Sequence, residues 1–267
     1  LVGASIGLMF AVSLVLSPLL NAVMGLNGMF ALTCVLAIIG VAVVLWMVPP
    51  EPTKHAEQAP VSLGASLRTA AHNPGLRRLY FGVFILHAVQ LSMWVALPTM
   101  LVQAGLPKDH HWWVYLPAVL ASFVVMGATL FPLERRGYLR AVFLSSVGVI
   151  CLVQLGLLGI VLGTPTVNAL GFVLFVFFCG FNVLEASQPS MASRLAPTSA
   201  RGTALGMYNS LQSLGLFAGG AVGGWLVKSH GPQALFIVSA LAMLAWLFVA
   251  WPMEAPSLTQ SHAPKAG

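Results

Sequence analysis

The chain has 267 residues, 58% hydrophobic and only 7% charged, with a formal net charge of +6. A soluble domain carries about 25% charged residues, so this composition cannot coat a water-facing surface. Apolar runs of about twenty residues recur along the whole length, as in helices that cross a bilayer, and without the alternation of a membrane barrel. The fold class expected is therefore all-α, a polytopic helical membrane protein with eight transmembrane helices.

The first two spans are read at 1–20 and 28–48. Leu1 already lies inside a hydrophobic segment, with no basic flank and no cleavage site. No signal peptide is recognisable, and the expectation is that further sequence precedes Leu1. Residues 49–78, "PPEPTKHAEQAPVSLGASLRTAAHNPGLRR", form the one long connection. Its Pro-rich start reads as a flexible cytoplasmic linker, and Ser62 to Ala71 as a short helix on the membrane surface, ended by Asn73-Pro74.

Six more spans follow, at 79–102, 112–133, 140–162, 167–190, 203–228 and 233–252, with a cytoplasmic tail at 253–267. The third carries His87, Gln90 and Trp94 at i, i+3 and i+7, hence on one face. Polar groups at this depth need partners, so that face is expected to line the bundle interior or a substrate cavity. Two readings of His87 stay open: a proton relay near neutral pH, or a neutral ring bonded to a neighbouring helix. Before the fourth span, Asp109, His110 and His111 precede Trp112 and Trp113. The Trp pair suits an interfacial aromatic belt, and a metal site is the weaker reading of the His pair.

The loop "PLERRGYLR" sets Glu134 among Arg135, Arg136 and Arg140. It reads either as a basic turn that sets topology or as a conformational latch whose ion pairs form and break. In the sixth span Glu185 follows Asn182 by three residues, on the same face. Placed four or five residues from the end of that span, Glu185 reads first as a latch carboxylate paired with an arginine, and second as a titratable group facing the cavity. The seventh span repeats Gly215, Gly219 and Gly223 every four residues, a bare face for close helix packing and a candidate moving interface. Tyr208, Asn209 and Gln212 add a polar patch at its start. Cys34, Cys151 and Cys179 lie in separate spans and read as packing residues.

The basic residues sort by side. With 49–78 inside, Lys54, Arg68, Arg77, Arg78, Arg135, Arg136, Arg140, Arg194, Arg201 and Lys265 are cytoplasmic, against Lys108 and Lys228 outside. That asymmetry places both ends in the cytoplasm and accounts for the positive charge without a nucleic-acid partner. No phosphate loop, zinc spacing or Ser, His and Asp set is present, so no enzyme and no cofactor is expected.

Three stretches, "GFNVLEASQPSMASRLAP" with "RGTALGMYNSLQSLGLFAGGAVGG", "FGVFILHAVQLSMWVALPTML" and "GASIGLMFAVSLVLSPLL", resemble the tenth and eleventh, seventh and fifth helices of the major facilitator superfamily. The resemblance is to its drug:proton antiporter branch and YajR-type members. It implies a chain that lacks about four leading helices: residues 1–48 close an incomplete N-terminal bundle, and 79–252 form a complete six-helix C-terminal bundle. "ERRGYLR" resembles a degenerate copy of the superfamily's loop motif. Gly3 and Gly7 match an antiporter pattern in which Leu8 replaces the expected Pro.

The function expected is a monomeric secondary transporter of the bacterial inner membrane. It would expel small apolar or amphiphilic molecules by alternating access, driven by a proton gradient, with membrane lipid around it. The cavity candidates are His87, Gln90, Trp94, Asn182 and Glu185. The alternative is a sensor or scaffold that kept the fold without transport.

Overall fold

The structure is a computed structural model and describes residues 2–48 and 63–253. The linker residues 49–62 with Lys54, and the tail beyond Met253 with Lys265, lie outside the described residues. Seven α-helices make up the described chain: α1 Val2–Met47, α2 Leu63–His72, α3 Pro74–Gln103, α4 Trp112–Arg135, α5 Leu139–Leu162, α6 Val167–Leu195 and α7 Arg201–Ala250. No strand occurs among them.

Two of these helices are each two spans joined at one glycine. In α1 the break is Gly25 (φ 64°, ψ −176°), and in α7 it is Gly231 (φ 80°, ψ 171°). A positive φ costs little only where there is no Cβ, so a single glycine breaks each helix where a loop is expected from the sequence. Helix thus covers the described part of each expected span, and six helices among the described residues are long and apolar enough to cross a membrane, Thr198–Ala250 counting as one.

Helix pairings show how the arms of α7 run. Gly215, Gly219 and Gly223 oppose Phe84, Ala88 and Ser92, an equal advance on both helices, so the first arm is parallel to α3. The second arm is antiparallel to α3: Ser92 Oγ lies 3.3 Å from Ser239 Oγ, while Gly82, earlier on α3, meets Trp246, later on α7. Cross-links at Asn182 to Ser122 and Arg194 to Glu134 make α4 and α6 parallel. Against α5 the second arm is antiparallel, with Phe143 edge-on to Trp246 and Cys151 Sγ donating to Ala240 O. Six spans from α3 to α7 therefore form one bundle, and α1 touches it at α4 and α6.

The bundle core holds Leu86, Met93, Leu97, Phe143, Phe177, Phe178, Phe236 and Trp246, all fully buried. Lipid is as apolar as these side chains, so close fit rather than water exclusion holds the helices together. Small residues at the contacts provide that fit.

Two sequence-derived boundaries change. Asn73 does not only end the surface helix: its Oδ1 caps α3 by accepting from Leu76 N at 3.1 Å, and Pro74 sits in the first turn, where no donor is needed. Residues 74–78 thus belong to α3 rather than to the linker. The sixth span runs to Leu195 instead of 190, which carries Glu185 deeper.

Candidate functional site

Glu185 lies ten residues before the end of α6, about 15 Å along the helix axis from its last residue. His87 is 2% exposed and faces it from α3, with Nε2 of His87 3.2 Å from Oε2 of Glu185. Gln212, on the first arm of α7, closes the group. Its Nε2 stands 2.8 Å from Nε2 of His87 and 3.3 Å from Oε1 of Glu185. Three helices each contribute one polar side chain at the same depth, where water is scarce and each group needs the others. Phe181 covers the His87 ring edge-on at 6.0 Å, itself stacked on Phe177.

The hydrogen bonds constrain where protons sit. His87 Nδ1 is 2.9 Å from Val83 O, and a carbonyl only accepts, so Nδ1 carries a hydrogen. In a neutral ring Nε2 is then a single lone pair, able to accept from the Gln212 amide or from a protonated Glu185 but not from both. A carboxylate oxygen 3.2 Å from that lone pair is repelled unless a proton lies between them. Either Glu185 is a neutral acid donating to the imidazole, or His87 is an imidazolium donating to the carboxylate, and in both the Gln212 amide donates to Glu185 Oε1. Both arrangements hold one proton between His87 and Glu185.

Glu185 Oε2 makes no other hydrogen bond among the described residues, and His110, Gln154, Gln188, Tyr208 and Trp246 likewise hold buried polar atoms with no hydrogen-bond partner there. Gln188, three residues on along α6, and Tyr208, four residues before Gln212 on α7, have side-chain polar atoms with no partner in the described chain. Both lie one helical turn closer to the end that carries the arginines. A polar strip therefore leads from Glu185 toward that end, of the kind ordered water satisfies.

The other candidates are placed as follows. Asn182 turns to α4, donating from Nδ2 to Ser122 Oγ at 2.8 Å. Gln90 is half-buried, and Trp94 meets Tyr115 edge-on at 4.9 Å, with Phe178 beside it at 6.3 Å. Glu134 pairs with Arg194 at 2.8 Å rather than with an arginine of its own loop. Arg135 and Arg136 are exposed, and Arg140 donates from Nε to Met253 O at 2.8 Å and from Nη2 to Trp251 O at 2.6 Å, closing the end of α7. Glu185 itself faces His87 and Gln212, and no arginine pairs with it among the described residues. The stripe of Gly215, Gly219 and Gly223 is buried against α3 of the same bundle.

Gln212 is absent from the cavity candidates read from the sequence. A signal was there: Gln212, Gly215 and Gly219 fall at i, i+3 and i+7, so the glycine face that must meet another helix carries Gln212 with it. A cavity of about 200 Å³ between α3 and the two arms of α7 has Ala88, Ser92, Gly219, Gly223 and Ser239 in its wall, with no titratable group. The chemistry lies outside it.

Known proteins agree with this architecture. Across 262 residues the chain is 33% identical to the inner membrane transport protein YajR of Escherichia coli (strain K12), a match over 97% of this chain and 57% of that protein. It is 26% identical over 221 residues to the uncharacterized transporter BU466 of Buchnera aphidicola subsp. Acyrthosiphon pisum (strain APS), covering 82% of this chain and 55% of the relative. An uncharacterized transporter of Buchnera aphidicola subsp. Schizaphis graminum (strain Sg) is 24% identical over 249 residues, 92% of this chain and 62% of the relative. The chain thus spans a little over half the length of these relatives, all named as transport proteins and none as an enzyme. The model of the Major Facilitator Superfamily matches residues 1–220 and again 132–267, and the chain belongs to that family.

Proposed function

We propose that this chain is the C-terminal part of a proton-coupled secondary transporter, in which the proton held between His87 and Glu185 drives alternating access. The single observation that carries the reading is the 3.2 Å approach of His87 Nε2 to Glu185 Oε2, buried at mid-span with Gln212 across both. A buried ionisable pair in a membrane is costly unless it does something, and proton exchange is the chemistry these groups offer. The partnerless Gln188 and Tyr208 give the proton a polar approach from the arginine-rich end.

Efflux of small apolar or amphiphilic molecules is the direction and substrate class we infer. Phe177, Phe181, Phe178 and Trp94 gather beside the pair, and no other carboxylate lies at mid-span among the described residues to hold a strongly cationic cargo. The positive-inside asymmetry supports cytoplasmic ends, and the inner membrane named for the YajR relative supports the same location here.

The test is dye flux in proteoliposomes of the full-length protein, with a panel of amphiphilic fluorescent dyes and an imposed pH gradient. Gradient-driven flux that Glu185→Gln uncouples from pH supports the reading. Flux indifferent to the gradient in the parent protein rejects proton coupling, and no flux of any dye, with a co-purifying partner protein, favours the sensor.

A further inference from the structure

Beyond the transport pathway, the arginine-rich end carries a cleft of about 360 Å³ between the start of α3 and the end of α7, lined by Pro74, Arg77, Arg78, Phe81 and Val249. We propose that this cleft binds the headgroup of an anionic phospholipid.

Charge is the first argument. Among the described residues this end of the bundle carries Arg68, Arg77, Arg78, Arg135, Arg136, Arg140, Arg194 and Arg201 against one carboxylate, Glu134, which Arg194 already occupies. Arg77 is exposed and its side chain makes no hydrogen bond or ion pair to the described residues. Arg78 spends one N–H on Pro252 O at 3.3 Å, which pins the guanidinium across the cleft and leaves its remaining donors open. Two guanidiniums side by side offer the forked donors that a phosphate accepts.

Position supplies the second argument, and it selects a lipid over a soluble anion. Phe81 and Val249 form the apolar floor just below the arginines, and the surface continues down α7 through Phe248 (83% exposed) and Leu244 (49% exposed). A ligand with phosphate at one end and acyl chains below matches both halves, as basic clefts between membrane helices on the cytoplasmic side do for anionic headgroups.

The experiment is native mass spectrometry of the purified full-length protein equilibrated with phosphatidylglycerol or phosphatidylcholine. At about 1 kcal/mol per basic residue near a charged lipid surface, two arginines predict a preference for phosphatidylglycerol of about thirty-fold. Arg77→Gln with Arg78→Gln is expected to abolish it, and Arg77→Gln alone, at an exposed side chain outside the helix contacts, to reduce it about five-fold. Arg135→Gln with Arg136→Gln removes the same charge elsewhere at this end and is expected to leave it intact. An equal loss in that control overturns the proposal in favour of diffuse surface attraction. Displacement of the lipid by inorganic phosphate would assign the site to a free anion and overturn it too. The outcome is independent of proton coupling, since neither His87 nor Glu185 takes part.

Discussion

Removing either His87 or Glu185 leaves the other's buried polar atom without its counterpart, at a cost of about 1–3 kcal/mol. His87→Ala is therefore expected to lower thermal stability in detergent markedly, and His87→Ala combined with Glu185→Gln to recover much of the loss. A double-mutant cycle measures this directly, and additive effects would mean the two side chains do not interact. The Glu134 and Arg194 pair behaves differently. Its side chains are 23% and 36% exposed, so solvent screens them, and Arg194→Gln is expected to cost less than about 1 kcal/mol, with the difference shrinking further in high salt.

Between α3 and the first arm of α7, a Cβ at Gly219 would run into the backbone at Ala88. Gly219→Ala forces the helices apart and is expected to cost about 1–3 kcal/mol in thermal unfolding. Gly224 has open space, and Gly224→Ala is expected to leave the midpoint unchanged or slightly raised. Helices such as these were legible in the sequence because each is a long apolar run, and the glycine stripe marked a close contact because only a bare face permits one. Which helix the stripe would meet was not legible, since α3 lies more than a hundred residues away in sequence and nothing local encodes the pairing. The same reason hid Glu185's partner: an arginine at the membrane surface was the nearest local candidate, whereas the five extra residues of α6 and the approach of α3 bring His87 instead. Gly25 and Gly231 read as loop residues, and it is their positive φ that breaks each long helix into two arms.

Across the molecule, charge is segregated: guanidiniums crowd one end, Lys108, Asp109 and Lys228 lie at the other, and Glu185 is the one described carboxylate at mid-span. With six Asp and Glu in all 267 residues, a buried carboxyl signal can be assigned to a single side chain. On the proposed reading that carboxyl exchanges the proton, and Gln212, His87 and Glu185 bring three helices to bear on it. The most direct measurement is infrared spectroscopy of full-length protein labelled with carbon-13 glutamate, comparing the parent with Glu185→Gln and His87→Ala. We expect a glutamate band that is missing in Glu185→Gln and shifted in frequency in His87→Ala, where the imidazole no longer bonds the carboxyl. A band unaltered by either substitution would contradict a proton shared between His87 and Glu185.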